Sequence, residues 1–120
     1  MIYVISKYVL SLDYCCKKFN LTLYETAFEA QGHRAGEYEL ASGKVNNRSH
    51  WERTDGSMVI WFNDQEDRWT IGSSVGSGGG IFANSSFECP GYVGDNWQYY
   101  NGSITYQDAV SDIQLECLGL

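Results

Sequence analysis

A single proline stands among 120 residues, and no apolar stretch approaches the roughly 20 residues that a membrane-crossing helix needs. Lys and Arg number only eight against 15 Asp and Glu, leaving a net charge of -7. That balance repels both a phosphate backbone and the anionic face of a cytoplasmic leaflet, so no nucleic acid and no membrane insertion are expected. Only two histidines are present, His33 and His50, and no Cys-x-x-Cys pair exists, so a zinc site has little to build on. No metal and no cofactor are expected. Apolar repeats at helical spacing are too short for a substantial helix. The length allows one modest core and excludes a large α/β catalytic scaffold.

What the chain has in quantity is aromatics and glycine: four Trp, nine Tyr, five Phe and 13 Gly. The rings fall in short runs divided by Gly, Asn and Asp turns, the pattern of an all-β domain. Residues 20–28 alternate as a strand. Residues 36–40 form another, with Tyr38 and Leu40 on one face, and residues 49–53 carry Trp51. After the Asp55-Gly56 turn, residues 58–62 are apolar on both faces, as a strand covered on both sides should be. Residues 68–71 pair with them across a polar loop, placing Trp61, Phe62 and Trp69 in the core. Residues 72–80 hold five Gly and three Ser and suit a mobile loop or a bulged strand. Residues 81–83 resume pairing. Residues 97–100 meet 103–106 across Asn101-Gly102, a strong hairpin signal, and residues 112–117 close the domain. The expected architecture is a small antiparallel β-sandwich or partly closed barrel of seven to nine short strands.

Residues 15–120 read as this single domain, and residues 1–14 as a β-prone extension. Lys7 interrupts the apolar run of the extension, and no small-x-small site follows before Asp13, so it fits a signal peptide poorly. The segment from Ile2 to Leu12 reads instead as an edge strand or as one donated to a second copy, which would build a homo-oligomer.

Cys15, Cys16, Cys89 and Cys117 form an even set in a short chain, which points to two disulfides in an oxidising compartment. Adjacent Cys15 and Cys16 face opposite ways on a strand and need separate partners. Running the odd-residue parity of Phe19, Leu21 and Leu23 back through Lys17 and Lys18 makes Cys15 inward. This pairs Cys15 with Cys117 and Cys16 with Cys89. Four Asn-x-Ser/Thr triplets begin at Asn20, Asn47, Asn84 and Asn101, where chance composition yields about one. Together these features place the chain outside the cell as an N-glycosylated protein.

The catalytic candidates are weak. Gly72-Ser73-Ser74-Val75-Gly76 matches the nucleophile elbow of α/β-hydrolases, but the Ser77-Gly78-Gly79-Gly80 that follows cannot start a stable helix. His33 and His50 sit in turn-flanking stretches as surface or packing residues. Asp64, Glu66 and Asp67 supply hard oxygen ligands without the spacing of a calcium loop. No catalytic residue is assigned, and the chain is not expected to be an enzyme. The aromatics carry the functional expectation: Trp51, Tyr92, Trp97, Tyr99 and Tyr100 are candidates for an exposed platform that stacks on sugar rings or on a protein partner.

In order, the landmarks are Gly36-Glu37-Tyr38-Glu39-Leu40, Gly43-Lys44-Val45-Asn46, Trp51, Asp55-Gly56, Ile60-Trp61-Phe62, Trp69-Thr70-Ile71-Gly72, Cys89-Pro90 and Trp97-Gln98-Tyr99-Tyr100. Over roughly residues 20–117 this resembles a short Gly- and Trp-rich β module that recurs in extracellular or adhesive proteins of algae and aquatic invertebrates. The resemblance implies a structural or recognition module with no catalytic residues to transfer. Asn47 departs from it, standing where the turn would have Gly. The expected function is a secreted, disulfide-bonded, non-catalytic binding module whose partner is a glycan or an extracellular protein. The alternative is a structural subunit of an extracellular filament or matrix, assembled through the N-terminal strand.

Overall fold

The computed structural model describes residues 15–94, 96–102, 106–108 and 111–119, the side chains of 106–108 excepted. The N-terminal segment expected to act as an edge or donated strand lies outside the described residues. Nine antiparallel strands form one curled sheet: β1 (Lys18–Leu23), β2 (Gly36–Leu40), β3 (Trp51–Arg53), β4 (Val59–Asn63), β5 (Arg68–Gly72), β6 (Ile81–Ala83), β7 (Gln98–Tyr100), β8 (Tyr106–Asp108) and β9 (Ile113–Gly119). Of the two expected architectures it is the partly closed barrel, since the strands among the described residues all belong to one sheet. The order across the sheet is β8-β7-β6-β5-β4-β3-β2-β1-β9. This is a meander whose last strand returns to the outside of the first. Asp108 and Ile113 are five residues apart in the chain, a reach of at most about 18 Å, so the two edges must curl toward each other.

Alternation along the strands puts one set of side chains on the enclosed face: Phe19, Leu21 and Leu23 from β1, Tyr38 from β2, Trp51 from β3, Ile60 and Phe62 from β4, Trp69 and Ile71 from β5, Ile81 and Ala83 from β6, and Tyr99 from β7. Their rings interlock. Phe19 meets Trp51 edge-on at 5.3 Å, Trp51 lies 6.0 Å from Trp69, and Phe62 meets Trp69 edge-on at 5.4 Å. Such offset and edge contacts match the quadrupoles of the rings and add to the burial itself.

Two segments cross the open side and hold the curl. The strand expected over residues 20–28 ends at Leu23, and helix α1 (Glu25–Gln31) follows. Ala27 and Gln31 bury its inner side, while Tyr24 and Phe28 remain exposed. The Thr26 hydroxyl is 2.6 Å from the Tyr99 hydroxyl, and the Gln31 amide donates to the Tyr100 carbonyl at 2.7 Å, which ties α1 across to β7. The apolar residues after Leu23 divide between the buried and the exposed sides of a helix too short for its period to show. The second segment runs from β6 to β7. It puts Val93 and Trp97 into the core, brings Gly91 against the Phe19 ring and is bonded to Cys15.

The disulfides are Cys15–Cys89 and Cys16–Cys117, with Cα separations of 5.5 and 5.8 Å, and this corrects the expected pairing. The physical reason is that the alternation of β1 does not run back to the cysteines: Phe19 is buried, Lys18 half-buried, Lys17 exposed and Cys16 buried, so two residues and not one separate the inward positions. Phe19 lies opposite Cys117 and Lys18 opposite Gly119, which puts the extra residue, Leu118, on β9 while β1 keeps its register with β2. Cys16 is the cysteine that reaches β9.

The last hairpin also differs from expectation. Tyr100 pairs with Tyr106 and Gln98 with Asp108, so the connection is residues 101–105 and not the two-residue Asn101-Gly102 turn. Gly102 still takes a positive φ of 93°, as longer hairpin loops with a left-handed residue do. The two-residue turn is found elsewhere, at Asn46 and Asn47. Both have positive φ, 52° and 69°, and Val45 and Arg48 exchange backbone hydrogen bonds at 2.9 and 3.0 Å. Asn tolerates this left-handed pair, so Asn47 holds a turn position that Gly commonly takes.

Arg53 fastens the β3–β4 hairpin to the chain after α1. Its guanidinium donates twice to Asp55, both at 3.0 Å, and also to the Ser57 hydroxyl and to the carbonyls of His33 and Ala35. Arg53 first, then the Ser57 backbone and hydroxyl, hold the Asp55 carboxyl well below the usual carboxylate range. A depressed folded-state value means that the stabilisation is present above the unfolded value, near pH 4, and is lost as the pH falls below it. Asp55→Asn is therefore expected to lower the melting temperature at neutral pH, by a margin that narrows as the pH falls from about 4 toward 2. Melting curves of the two proteins that stay parallel across that range would refute the assignment.

Candidate functional site

The expected aromatic platform is not on the surface. Trp51, Trp97 and Tyr99 are 0%, 1% and 2% exposed, because a curled sheet encloses one whole face and all three lie within it. Trp51 donates its indole N–H to the Cys16 carbonyl at 2.8 Å and so serves the core. Tyr100 is half-buried. Tyr92 alone among the five is widely exposed, at 54%. It stands beside an apolar notch of about 220 Å³ formed by the two disulfides, Phe19 and Gly91.

A different tryptophan lies at a cleft. Trp61 on β4 alternates with Ile60 and Phe62 and so faces away from the enclosed core, yet it is only 4% exposed. Its cross-strand partner on β5 is Thr70, which in turn faces Phe82 on β6. Residues 73–80 fold back over this outer row. A Cβ on Gly79 would sit 2.4 Å from the Thr70 methyl and 2.7 Å from the Ile71 carbonyl oxygen, so this close approach requires glycine. Arg68 covers Phe82 with its guanidinium 4.0 Å from the ring centroid and pairs with Glu66 at 2.7 Å. The run 58–62, read in the sequence as covered on both sides, is covered on the outside by this loop.

Between the loop, the Asn46 turn and the β4–β5 turn lies a cleft of about 370 Å³. Trp61 lines it at depth, Val75 and Gly76 form one wall, and Asn46, Asn63, Asp64 and Gln65 supply its polar groups. The Asn46 amide is fixed by donating to the Phe62 carbonyl at 2.8 Å. Asn63 accepts from the backbone N–H of Gln65 and Glu66 at 3.1 and 3.3 Å, which shapes the turn. Neither the Trp61 indole N–H nor the Thr70 hydroxyl has a hydrogen-bond partner among the described residues, although both are buried. A buried donor left unmade costs about 1–3 kcal/mol, which makes such a group at the wall of a cleft a pointer to a ligand.

The remaining candidates are placed as follows. Ser74 lies in the exposed loop with its N–H bonded to the Ser77 hydroxyl, and β6 follows where a nucleophile elbow needs a helix. His33 is exposed, and desolvation, with Arg34 and Arg53 beside it, holds its imidazole below the ordinary value. His50 is buried with its Nδ1 unpartnered among the described residues. No group of three or more His, Cys, Asp or Glu among the described residues is placed to hold a metal. Asn47 and Asn84 are exposed on turns, and Arg48 joins their two loops by donating to the carbonyls of Ser86 and Phe87 at 3.0 and 2.6 Å. Asn20 is half-buried within β1, and its amide donates to the Thr22 hydroxyl at 2.9 Å. Asn101 lines a separate cleft with Thr26 and Tyr99. Sequence reasoning passed over Asn46, Asn63 and Gln65. The available signal was a pair of Asn-rich turns on either side of a strand carrying tryptophan.

Fold and cleft together define a small, disulfide-bonded, all-β module. Comparison with protein-family models, curated proteins and solved structures finds no match to the chain.

Proposed function

We propose that the protein is a secreted, N-glycosylated, non-catalytic binding module that holds its ligand in the cleft beside Trp61. The observation that carries this reading is the buried indole N–H without an acceptor at the wall of a polar cleft. Two disulfides in a chain of this size accord with an oxidising compartment, and no helix among the described residues is long and apolar enough to cross a membrane. Asn47 and Asn84 are the acceptor sites most open to a glycan. The cleft departs from the expected aromatic surface: its recognition groups are amides and a carboxylate around one recessed indole.

The test is an array of immobilised glycans and extracellular-matrix proteins probed with the full chain and with the triple variant Asn63→Ala/Asp64→Ala/Gln65→Ala. Selective binding that falls at least tenfold in the variant supports the reading. Binding that the variant retains, or no binding to any array member, overturns it.

A further inference from the structure

Resting on that reading, we infer that the cleft takes an uncharged sugar ring, with a ring hydroxyl oxygen accepting from the Trp61 indole and hydroxyl hydrogens donated to Asp64. The argument is one of matching donors and acceptors. The Trp61 N–H can only donate, and it has no acceptor among the described residues. The Asp64 carboxylate can only accept, and it makes no hydrogen bond to any described residue. The Gln65 amide can do both. A ligand that satisfies all three must present donors and acceptors side by side over a short span, and a vicinal diol does so with each hydroxyl.

Charge narrows the class further. Among the described residues no Lys, Arg or His lines the cleft, and the one charged group there is the Asp64 carboxylate. A uronate, sialate or sulfated sugar would bring a second anion against it with no cation to offset the repulsion, in a protein whose net charge is already -7. Size agrees with a small ligand. At about 370 Å³ the cleft lies at the lower end of the roughly 300–1,000 Å³ typical of small-molecule sites, enough for one or two rings. Because the Trp61 indole N–H is itself buried, the acceptor reaches it by a shift of the cleft lining, to which Val75 and Gly76 belong. That wall carries one exposed valine side chain and a glycine at a φ of 90°, and so presents little bulk to move.

The test uses the full, oxidised chain labelled with ¹⁵N and follows its four indole N–H signals during titration with methyl glucoside, methyl galactoside, methyl mannoside and methyl glucuronide. Trp61→Phe identifies the Trp61 signal. At least one neutral glycoside is expected to shift that signal selectively and to bind at least tenfold more tightly at pH 7 than the glucuronide of the same ring. Asp64→Asn should narrow that preference several-fold. Equal or tighter binding of the glucuronide at the Trp61 signal overturns the neutral-sugar inference while leaving the cleft as a binding site. If no glycoside moves the Trp61 signal, the sugar inference falls. Cleft-dependent binding of an array protein would then still sustain the binding module, and its absence would remove both.

Discussion

Removing the Cys16–Cys117 bridge through Cys16→Ala/Cys117→Ala is expected to destabilise the protein by about 3–4 kcal/mol, because with Cys15–Cys89 intact the bridge closes a loop of roughly 30 residues. A domain of this length has a total stability on the order of 6–18 kcal/mol, so the loss is a large fraction of it. The melting temperature should fall by roughly 12–16 °C, at about 4 °C per kcal/mol for a domain of this size. The location adds to the chain-entropy effect. β1 is held by β2 on one side and β9 on the other, and the bridge pins the end of β9, which has no neighbour beyond it among the described residues. The same variant tests the connectivity. It should contain no free thiol, since Cys15–Cys89 persists, whereas Cys15→Ala/Cys117→Ala should leave Cys16 and Cys89 both open to alkylation. The reverse pattern would show that Cys15, and not Cys16, is bonded to Cys117.

Trp51→Ala is expected to cost about 3–5 kcal/mol through the cavity it leaves, with a further contribution from the stranded Cys16 carbonyl. The indole sits at the crossing of the core, in contact with Phe19 on one side and Trp69 on the other, and its N–H fastens β3 to the chain just before β1. Melting should drop by at least about 12 °C at the same rate per kcal/mol. Trp51→Phe keeps the ring contacts and loses the hydrogen bond, and it should fall between the two proteins. A surface tryptophan would behave otherwise, since truncating it changes stability by no more than about 0.5 kcal/mol. A change of that size at Trp51 would mean that the ring is outside the core. These two proteins also separate structure from recognition: Trp51→Phe should bind as the parent does, because Trp51 does not reach the cleft.

Much of the fold is legible along the chain because strand alternation is a local property. Trp69 and Ile71 share a face wherever the strand sits, and Met58 to Phe62 announce a strand covered on both sides. The turns are legible where a residue type is tied to a backbone conformation, as at Asp55-Gly56. Legibility fails where the alternation stops. It does not run back from Phe19 to Cys15, since Cys16 is buried and Lys17 exposed, and nothing in Lys17-Lys18 marks the change. It fails again at α1, whose seven residues make just under two helical turns, too few for the period to stand out from alternation. The last hairpin shows that Asn-Gly favours a turn without setting its length.

The site was harder to read for a related reason. Whether a ring on a strand is exposed depends on what covers that face, and coverage is a long-range matter. Trp51, Trp97 and Tyr99 carry the composition of an exposed platform, and closure of the sheet buried them. Trp61 looks like plain core by sequence, yet it occupies the outer face, where only a glycine-rich loop covers it and polar turns flank it.

By itself, then, the sequence determined an acidic, all-β chain with an even set of cysteines, because charge, period and parity are sums or local repeats that need no partner. Which cysteine meets which, which face of the sheet is enclosed and which tryptophan stands beside a cleft were decided only by tertiary structure. Each depends on segments far apart in the chain arriving at the same place, and in this protein the curl of a single sheet, closed by α1 and two disulfides, is what brings them there.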